Sequence, residues 1–267
     1  MIVRKVIYSI LNLFDHRKEK IPNLFLQKFK KYPNLLRKDK QRIRVCVNEI
    51  IRYLGLIDHL IEVGSERKIR YINPKIINVL RLGIYELVFD DITPDFAAIH
   101  SSVELAKKNI NKKSSSMVNA VMRNIQRISR KNKKWKMSLI KNKIDLAYPE
   151  WLLKKWEDEF GKDVTRNLCA EFLNKKDIFI RLDIDRYSVD KMLSVLSHSN
   201  IKVIQHNHFK LFFKVVLGQK NILGNNLFQE GIISIQDPAA GAVVELVNPQ
   251  KNDFILDVCA APGTKSL

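Results

Sequence analysis

Cysteine is scarce in this 267-residue sequence. The three present, Cys46, Cys169 and Cys259, stand far apart and form no C-x-x-C pair. Such a set argues against a disulfide-stapled secreted scaffold and against a cysteine zinc site. It leads us to expect no bound metal and a reducing, cytoplasmic setting. No uncharged apolar run approaches the roughly 18–20 residues of a membrane-spanning helix, so no membrane partner is expected. The opening MIVRKVIYSILNLFDHRKEK passes from a short apolar stretch into Asp15 and His16 without a small-residue cleavage site. It reads as an amphipathic first helix rather than a leader peptide.

Negative charge is missing from one part of the chain. The totals, 47 Lys+Arg against 28 Asp+Glu, give a net +19. Residues 1–140 hold 30 basic and 12 acidic side chains, whereas 141–267 hold 17 and 16. A lysine-rich proteome would tilt both halves alike, so the excess marks the N-terminal part as a polyanion binder. From Leu105 through Ile144 there are thirteen basic residues and no acidic one. A solvated helix face normally mixes signs. If about half of these cations meet phosphates, affinity should fall steeply with salt, with a log–log slope of several units.

The first 130 residues read as helices joined by short loops. Ile43, Cys46, Val47, Ile50, Ile51 and Leu54 follow the spacing of one helical face. Asn73-Pro74 supplies a cap and a first-turn proline for Ile76–Phe89, which is apolar nearly all round and therefore central and buried. Thr93-Pro94 repeats the start signal ahead of Ile99–Ile110. In Ser116–Ile128 the apolar stripe is Val118, Val121, Met122, Ile125 and Ile128. Arg123, Arg127 and Arg130 share the other side as one basic row, continued by Lys131, Lys133 and Lys134. Residues 131–144 read as a basic linker or frayed helix. Pro149-Glu150 then opens a helix in which Trp151, Leu152, Trp156 and Phe160 are expected to pack inward, and a second helix covers Asp163–Asn174. Strand-like runs at Ile178–Ile184, Lys202–Gln205 and Leu211–Leu217 enclose a helix over Ser188–Ser197, suggesting a small α+β domain of the β-α-β-β-α-β kind. Gly231–Gln236 is a further strand, Pro238–Val247 a helix, and Asp253–Cys259 a buried-type strand.

That last strand runs into Cys259-Ala-Ala-Pro-Gly-Thr-Lys-Ser266, a strand–turn–helix-start pattern of the kind that brings backbone N–H groups to a ligand. The loop has one glycine instead of three, and it lacks the glycine before lysine that a phosphate loop needs. In context it says more. The stretch SIQDPAAGAVVELVNPQKNDFILDVCAAPGTKSL resembles the methyl-donor-binding region of the Sun/Fmu/NOP2 family of RNA cytosine-C5 methyltransferases. YPEWLLKKW resembles that family's helix start at the head of its small RNA-binding domain. TPDFAAIHSSVELAKK with MVNAVMRNI resembles the N-terminal domain of the bacterial members, itself similar to the antitermination factor NusB.

The resemblance implies an enzyme acting on small-subunit ribosomal RNA with S-adenosyl-L-methionine. Cys259, Ala260, Ala261, Pro262, Gly263, Thr264 and Lys265 would wrap the donor, with Lys265 near its carboxylate. Thr264 departs from the pattern, standing where the family has a second glycine. The family's two catalytic cysteines lie well downstream of this loop. None of the three cysteines here takes that place, so the catalytic residues are expected beyond Leu267 and the chain alone is expected to be inactive. The architecture implied is an all-α NusB-like bundle over 1–130, a linker over 131–144, a small ferredoxin-like α+β domain over 145–230, and the first strand of a Rossmann-like methyltransferase domain over 231–267. The alternative is an RNA-binding, antitermination-like module without catalysis. Cys46 and Cys169 read as core residues. His100, His198, His206 and His208 lack ligand-spaced carboxylates and read as surface or structural. Asp183 and Asp185 share one strand face and read as solvated charge.

Overall fold

The computed structural model describes residues 2–17, 19–130, 135–174, 176–184, 186–261 and 263, without the side chains of His16 and Arg17. The contacts divide the chain into two units, 1–174 and 175–267.

The first unit is helical: α1 (Ile2–Arg17), α2 (Ile21–Lys31), α3 (Arg37–Arg52), α4 (Leu54–Ser65), α5 (Pro74–Ile84), α6 (Asp95–Asn109), α7 (Lys112–Arg130), α8 (Trp135–Lys143), α9 (Glu150–Phe160) and α10 (Lys162–Leu173). The start of α5 is as expected, with the Asn73 side chain accepting from the Lys75 N–H at 2.9 Å and Pro74 in the first turn. Every residue from Ile76 to Ile84 is buried. Each large aliphatic side chain there contributes about 1.5–3 kcal/mol by leaving water. The helix then widens into a π turn over Tyr85–Phe89, which the sequence pattern does not reveal. Thr93 is not a cap: its hydroxyl donates to Asp90 Oδ2 at 2.7 Å, and α6 starts at Asp95 behind Pro94.

Two glycines set how closely these helices approach. A Cβ on Gly55 would stand 1.6 Å from the Leu146 carbonyl oxygen, so α4 touches the backbone of the 3-10 turn Ile144–Ala147 directly. A Cβ on Gly83 would meet Ser102 Oγ at 2.5 Å and Met122 Cε at 2.9 Å, where α5 receives α6 and α7.

The helical unit extends further than the composition suggests. Ile144, Cys169 and Leu173 are buried in its core, and Tyr148 donates to the Cys169 carbonyl at 2.7 Å, so α9 and α10 belong to it and the boundary falls after Asn174. On α9 only one side meets the bundle. Trp156 packs between Tyr148 and Phe172, with ring centroids 5.8 Å from each, while Trp151 and Phe160, expected inside, face solvent.

The second unit holds β1 (Phe179–Leu182), α11 (Val189–His198), β2 (Lys202–Gln205), β3 (Phe212–Leu217), α12 (Asn226–Gln229), β4 (Ile233–Ile235) and α13 (Pro238–Val247). The sheet is antiparallel in the order β2-β3-β1-β4, the connectivity of a β-α-β-β-α-β unit whose second helix is reduced to a 3-10 turn and the single turn α12. Ile180, Leu182, Phe213 and Val215 pack against Met192 and Leu196 of α11. The strand expected over Asp253–Cys259 is not formed. Residues 253–259 are irregular, with Phe254, Leu256 and Val258 exposed. An apolar strand of the parallel type is stable only with neighbours covering both faces, and no described strand pairs with this one.

Glu86, in the π turn, has Arg4 of α1 2.6 Å away. Burial pushes its carboxyl up to about 7 despite that cation. The folded chain therefore holds this proton to higher pH than the unfolded chain, whose carboxyl titrates near 4.5. Its contribution is complete below that value and is lost as pH rises to about 7. Urea titrations at pH 5 and pH 8 should show a loss of stability that Glu86→Gln removes, a difference of up to about 3 kcal/mol. In the same assay Gly83→Ala should lose about 1–3 kcal/mol. Gly55→Ala should lose more, because a carbonyl cannot swing aside as Met122 can. Gly224→Ala, which meets nothing within 4 Å, should be near neutral.

Candidate nucleic-acid interface

The helix α7 is aimed by its apolar side. Val118, Val121, Met122 and Ile125 are buried, and its first turn is capped by Asn111, whose Oδ1 accepts from the Ser114 N–H at 2.8 Å. This fixes the opposite side outward. Arg123, Arg127 and Arg130 are all exposed, as the spacing predicts.

Each arginine is held by a neighbour. Arg123 Nη1 donates to Gln126 Oε1 at 3.1 Å, and Gln126 Nε2 in turn donates to Asp95 Oδ2 at 3.1 Å. Arg127 Nη2 donates to Asn124 Oδ1 at 3.0 Å, while Asn124 Nδ2 donates to the Gly64 carbonyl of α4 at 3.0 Å. Arg130 places Nε and Nη2 at 3.1 and 2.7 Å from Asp95 Oδ2. Two guanidinium groups are thus positioned by amides tied to other helices, and the third is engaged by a carboxylate. Burial pushes the Asp95 carboxyl up, but the Gln126 and Arg130 hydrogen bonds outweigh it and hold it below the usual range, so it stays ionised. Asn124, Gln126 and Asp95 were not singled out in the sequence. Their signal is an amide one turn from each of Arg123 and Arg127. Lys131, Lys133 and Lys134 lie outside the described residues. Beyond them, Lys136 of α8 stands 3.9 Å from Asp91.

Of the expected donor loop, Cys259–Ala261 and Gly263 are described. Cys259 and Ala260 are exposed on irregular chain, and the Cys259 N–H donates to Asp257 Oδ1 at 3.0 Å. Gly263 has φ +100°, and Pro262, Thr264 and Lys265 lie outside the described residues. The described residues of this loop, Cys259–Ala261 and Gly263, form neither a strand end nor a helix start. Cys46 and Cys169 are buried, and burial pushes the Cys46 thiol up to about 12, as suits packing residues. His100 lines a groove of about 400 Å³ with Arg4, Lys5 and Lys108. Among the described residues no cluster of three or more metal-ligating side chains occurs, and no helix is long and apolar enough to cross a membrane.

Residues 1–127 match the NusB family. The chain is 31% identical over 200 residues to the probable ribosomal RNA small subunit methyltransferase B of Bacillus subtilis, covering 73% of this chain and 43% of that protein. Its similarity to the Synechocystis protein of the same name is 31% over 234 residues, covering 85% and 51%. To the ribosomal RNA small subunit methyltransferase B of an Escherichia coli strain it is 25% over 239 residues, covering 86% and 52%. The chain spans about half the length of the curated relatives it matches. The crystal structure of PH0851 shares the fold with a TM-score of 0.57 at 18% identity, over 99% of this chain and 59% of that one.

Asp95 neutralises one end of the arginine row. Asp95→Asn should raise affinity for a polyanion such as heparin about two- to tenfold and steepen its salt dependence. Unchanged binding would mean that Arg130 is not part of the contact surface.

Proposed function

We propose that this chain, homologous over most of its length to ribosomal RNA small subunit methyltransferases B and carrying a NusB-family domain at 1–127, holds ribosomal RNA for base methylation. One observation carries the RNA-holding part. Arg123 and Arg127 are solvent-facing, anchored by amides on a rigid helix, and lie within forty residues that contain thirteen cations and no acid. Guanidinium groups fixed in this way meet phosphate oxygens with little loss of side-chain freedom, and they position a nucleic acid without reading its sequence.

The reaction is assigned on likeness. Methyltransferase homologues imply a methyl donor, for which we propose S-adenosyl-L-methionine held at Cys259–Lys265. The resemblance of the CAAPG segment supports cytosine C5 as the acceptor and the small-subunit RNA as the substrate. A second reading, an RNA-binding module without catalysis, is favoured by the exposed state of residues 253–261. Calorimetric titration with S-adenosyl-L-methionine separates the two, since heat of binding supports the donor loop and its absence supports the module.

The RNA reading is tested by fluorescence anisotropy with a labelled fragment of small-subunit ribosomal RNA over a potassium chloride series. Replacing Arg123 and Arg127 together by alanine should weaken binding to all RNA sequences alike and reduce the log–log salt slope by about 1–2. Unaltered affinity and slope would remove α7 from the interface.

A further inference from the structure

The hairpin between β2 and β3 gathers a set of rings that the proposed function leaves unused. Side chains alternate along a strand. Ile180, Leu182, Phe213 and Val215 enter the core beside α11, so Phe179, Arg181, Phe212 and Lys214 occupy the other face of the sheet. On that face α13 lies against Phe212: a Cβ on Gly241 would meet the phenyl ring at 2.3 Å. The helix leaves the hairpin end uncovered. Phe179, His206 and Phe209 are partly exposed there, while His208 and Ile204 are exposed.

These rings form a chain. His206 meets Phe179 edge-on at 5.7 Å and Phe209 at 5.2 Å, and Phe209 meets the buried Phe212 edge-on at 5.9 Å. His206 is locked in place. Its Nδ1 accepts the backbone N–H groups of His208 and Phe209, each at 3.2 Å, and its own backbone N–H donates to the Phe212 carbonyl at 2.8 Å. With Nδ1 occupied as an acceptor, the ring proton sits on Nε2. Lys210 is exposed beside the hairpin, and Lys214 is held by Asp177 at 2.7 Å.

We propose that Phe179, His206 and Phe209 form a stacking platform for unpaired RNA bases on the half of the sheet that α13 leaves open. The proposal deepens the RNA-binding reading and rests on it. A rigid aromatic face stacks any base, whatever its identity. Nε2–H of His206 adds a donor for a base or phosphate acceptor, and Lys210 lies within the same hairpin to meet the backbone. Bases in an A-form duplex are stacked on one another and cannot offer their faces, so the platform selects single-stranded segments. The arginines of α7 contribute charge without that selectivity.

The test is anisotropy with the full chain on a single-stranded RNA 12-mer and on a 12-base-pair RNA duplex, each over a salt series. Phe179→Leu and Phe209→Leu keep apolar bulk and lose the ring. Each should weaken the single strand at least about fivefold with its salt slope unchanged, and leave the duplex unaffected. Phe179→Tyr should bind as the parent does. Parent-like single-strand affinity of both leucine variants would overturn the platform. So would equal loss on strand and duplex, or failure of Phe179→Tyr to retain binding. The Arg123 and Arg127 alanine variant, run beside them, separates the two readings. If it loses affinity while the leucine variants do not, only the platform falls; if neither set changes binding, the RNA reading falls with it.

Discussion

The helical unit hangs on one buried guanidinium. Arg81 of α5 donates to both oxygens of Asp58 on α4 at 2.8 Å and reaches Asp15 of α1 at 2.9 Å. Three residues earlier on α5, Asn78 donates to Asn12 at 3.1 Å and to Asp15 at 2.9 Å, and accepts from Arg81 at 3.0 Å. Arg81 is buried while both carboxylates keep part of their surface in water, so losing one of them costs less than the roughly 3–5 kcal/mol of a fully buried pair. Asn78 and Arg81 interrupt a run otherwise apolar enough to slide, so their hydrogen bonds fix the register that hydrophobicity alone leaves loose. Once α1, α4 and α5 are set, Gly64 and Gly83 seat Ile125 and Met122 closely. The outward direction of Arg123 and Arg127 follows from that seating.

The pairings around the π turn extend the same logic. Arg42 of α3 grips Asp90, which also accepts from Thr93, and Arg4 of α1 faces Glu86. The wide turn carries Tyr85 and Phe89 into the core while presenting two carboxylates to cations from two other helices. A regular α-helix through Phe89 would rotate Glu86 and Asp90 relative to one another. The π geometry is therefore tied to where the arginines stand.

What could be read in the sequence was whatever depends on periodicity within one segment. The span of α13, the limits of β2, the central burial of α5 and the exposed arginine row all follow from local spacing, and the structure shows each of them. What could not be read depends on a partner distant in sequence. Asp95 lies 35 residues before Arg130, and Gly64 lies 60 before Asn124, so neither the ion pair nor the amide brace leaves a periodic mark. Trp151 shows the opposite failure: a large apolar side chain at a suitable position is buried only if another element covers it. The run Phe254–Val258 is the same case, since alternation cannot say whether neighbouring strands are there to receive it.

The two proposed contact surfaces would offer nucleic acid different physics. On α7 the proposed contacts would be charge on charge, long-ranged, screened by salt and indifferent to base identity. On the open half of the sheet they would be ring on ring, short-ranged and insensitive to salt, and would require bases already freed from pairing. A methyltransferase that modifies a base must reach an atom that duplex stacking hides. Electrostatic capture without a preference for unpaired bases would concentrate the chain on RNA at large, and stacking without capture would act only on the rare encounter. The charge asymmetry along the sequence then has a physical sense. On this proposal the cations sit where attraction over distance is needed, and the near-neutral half carries the surface whose contacts depend on fit.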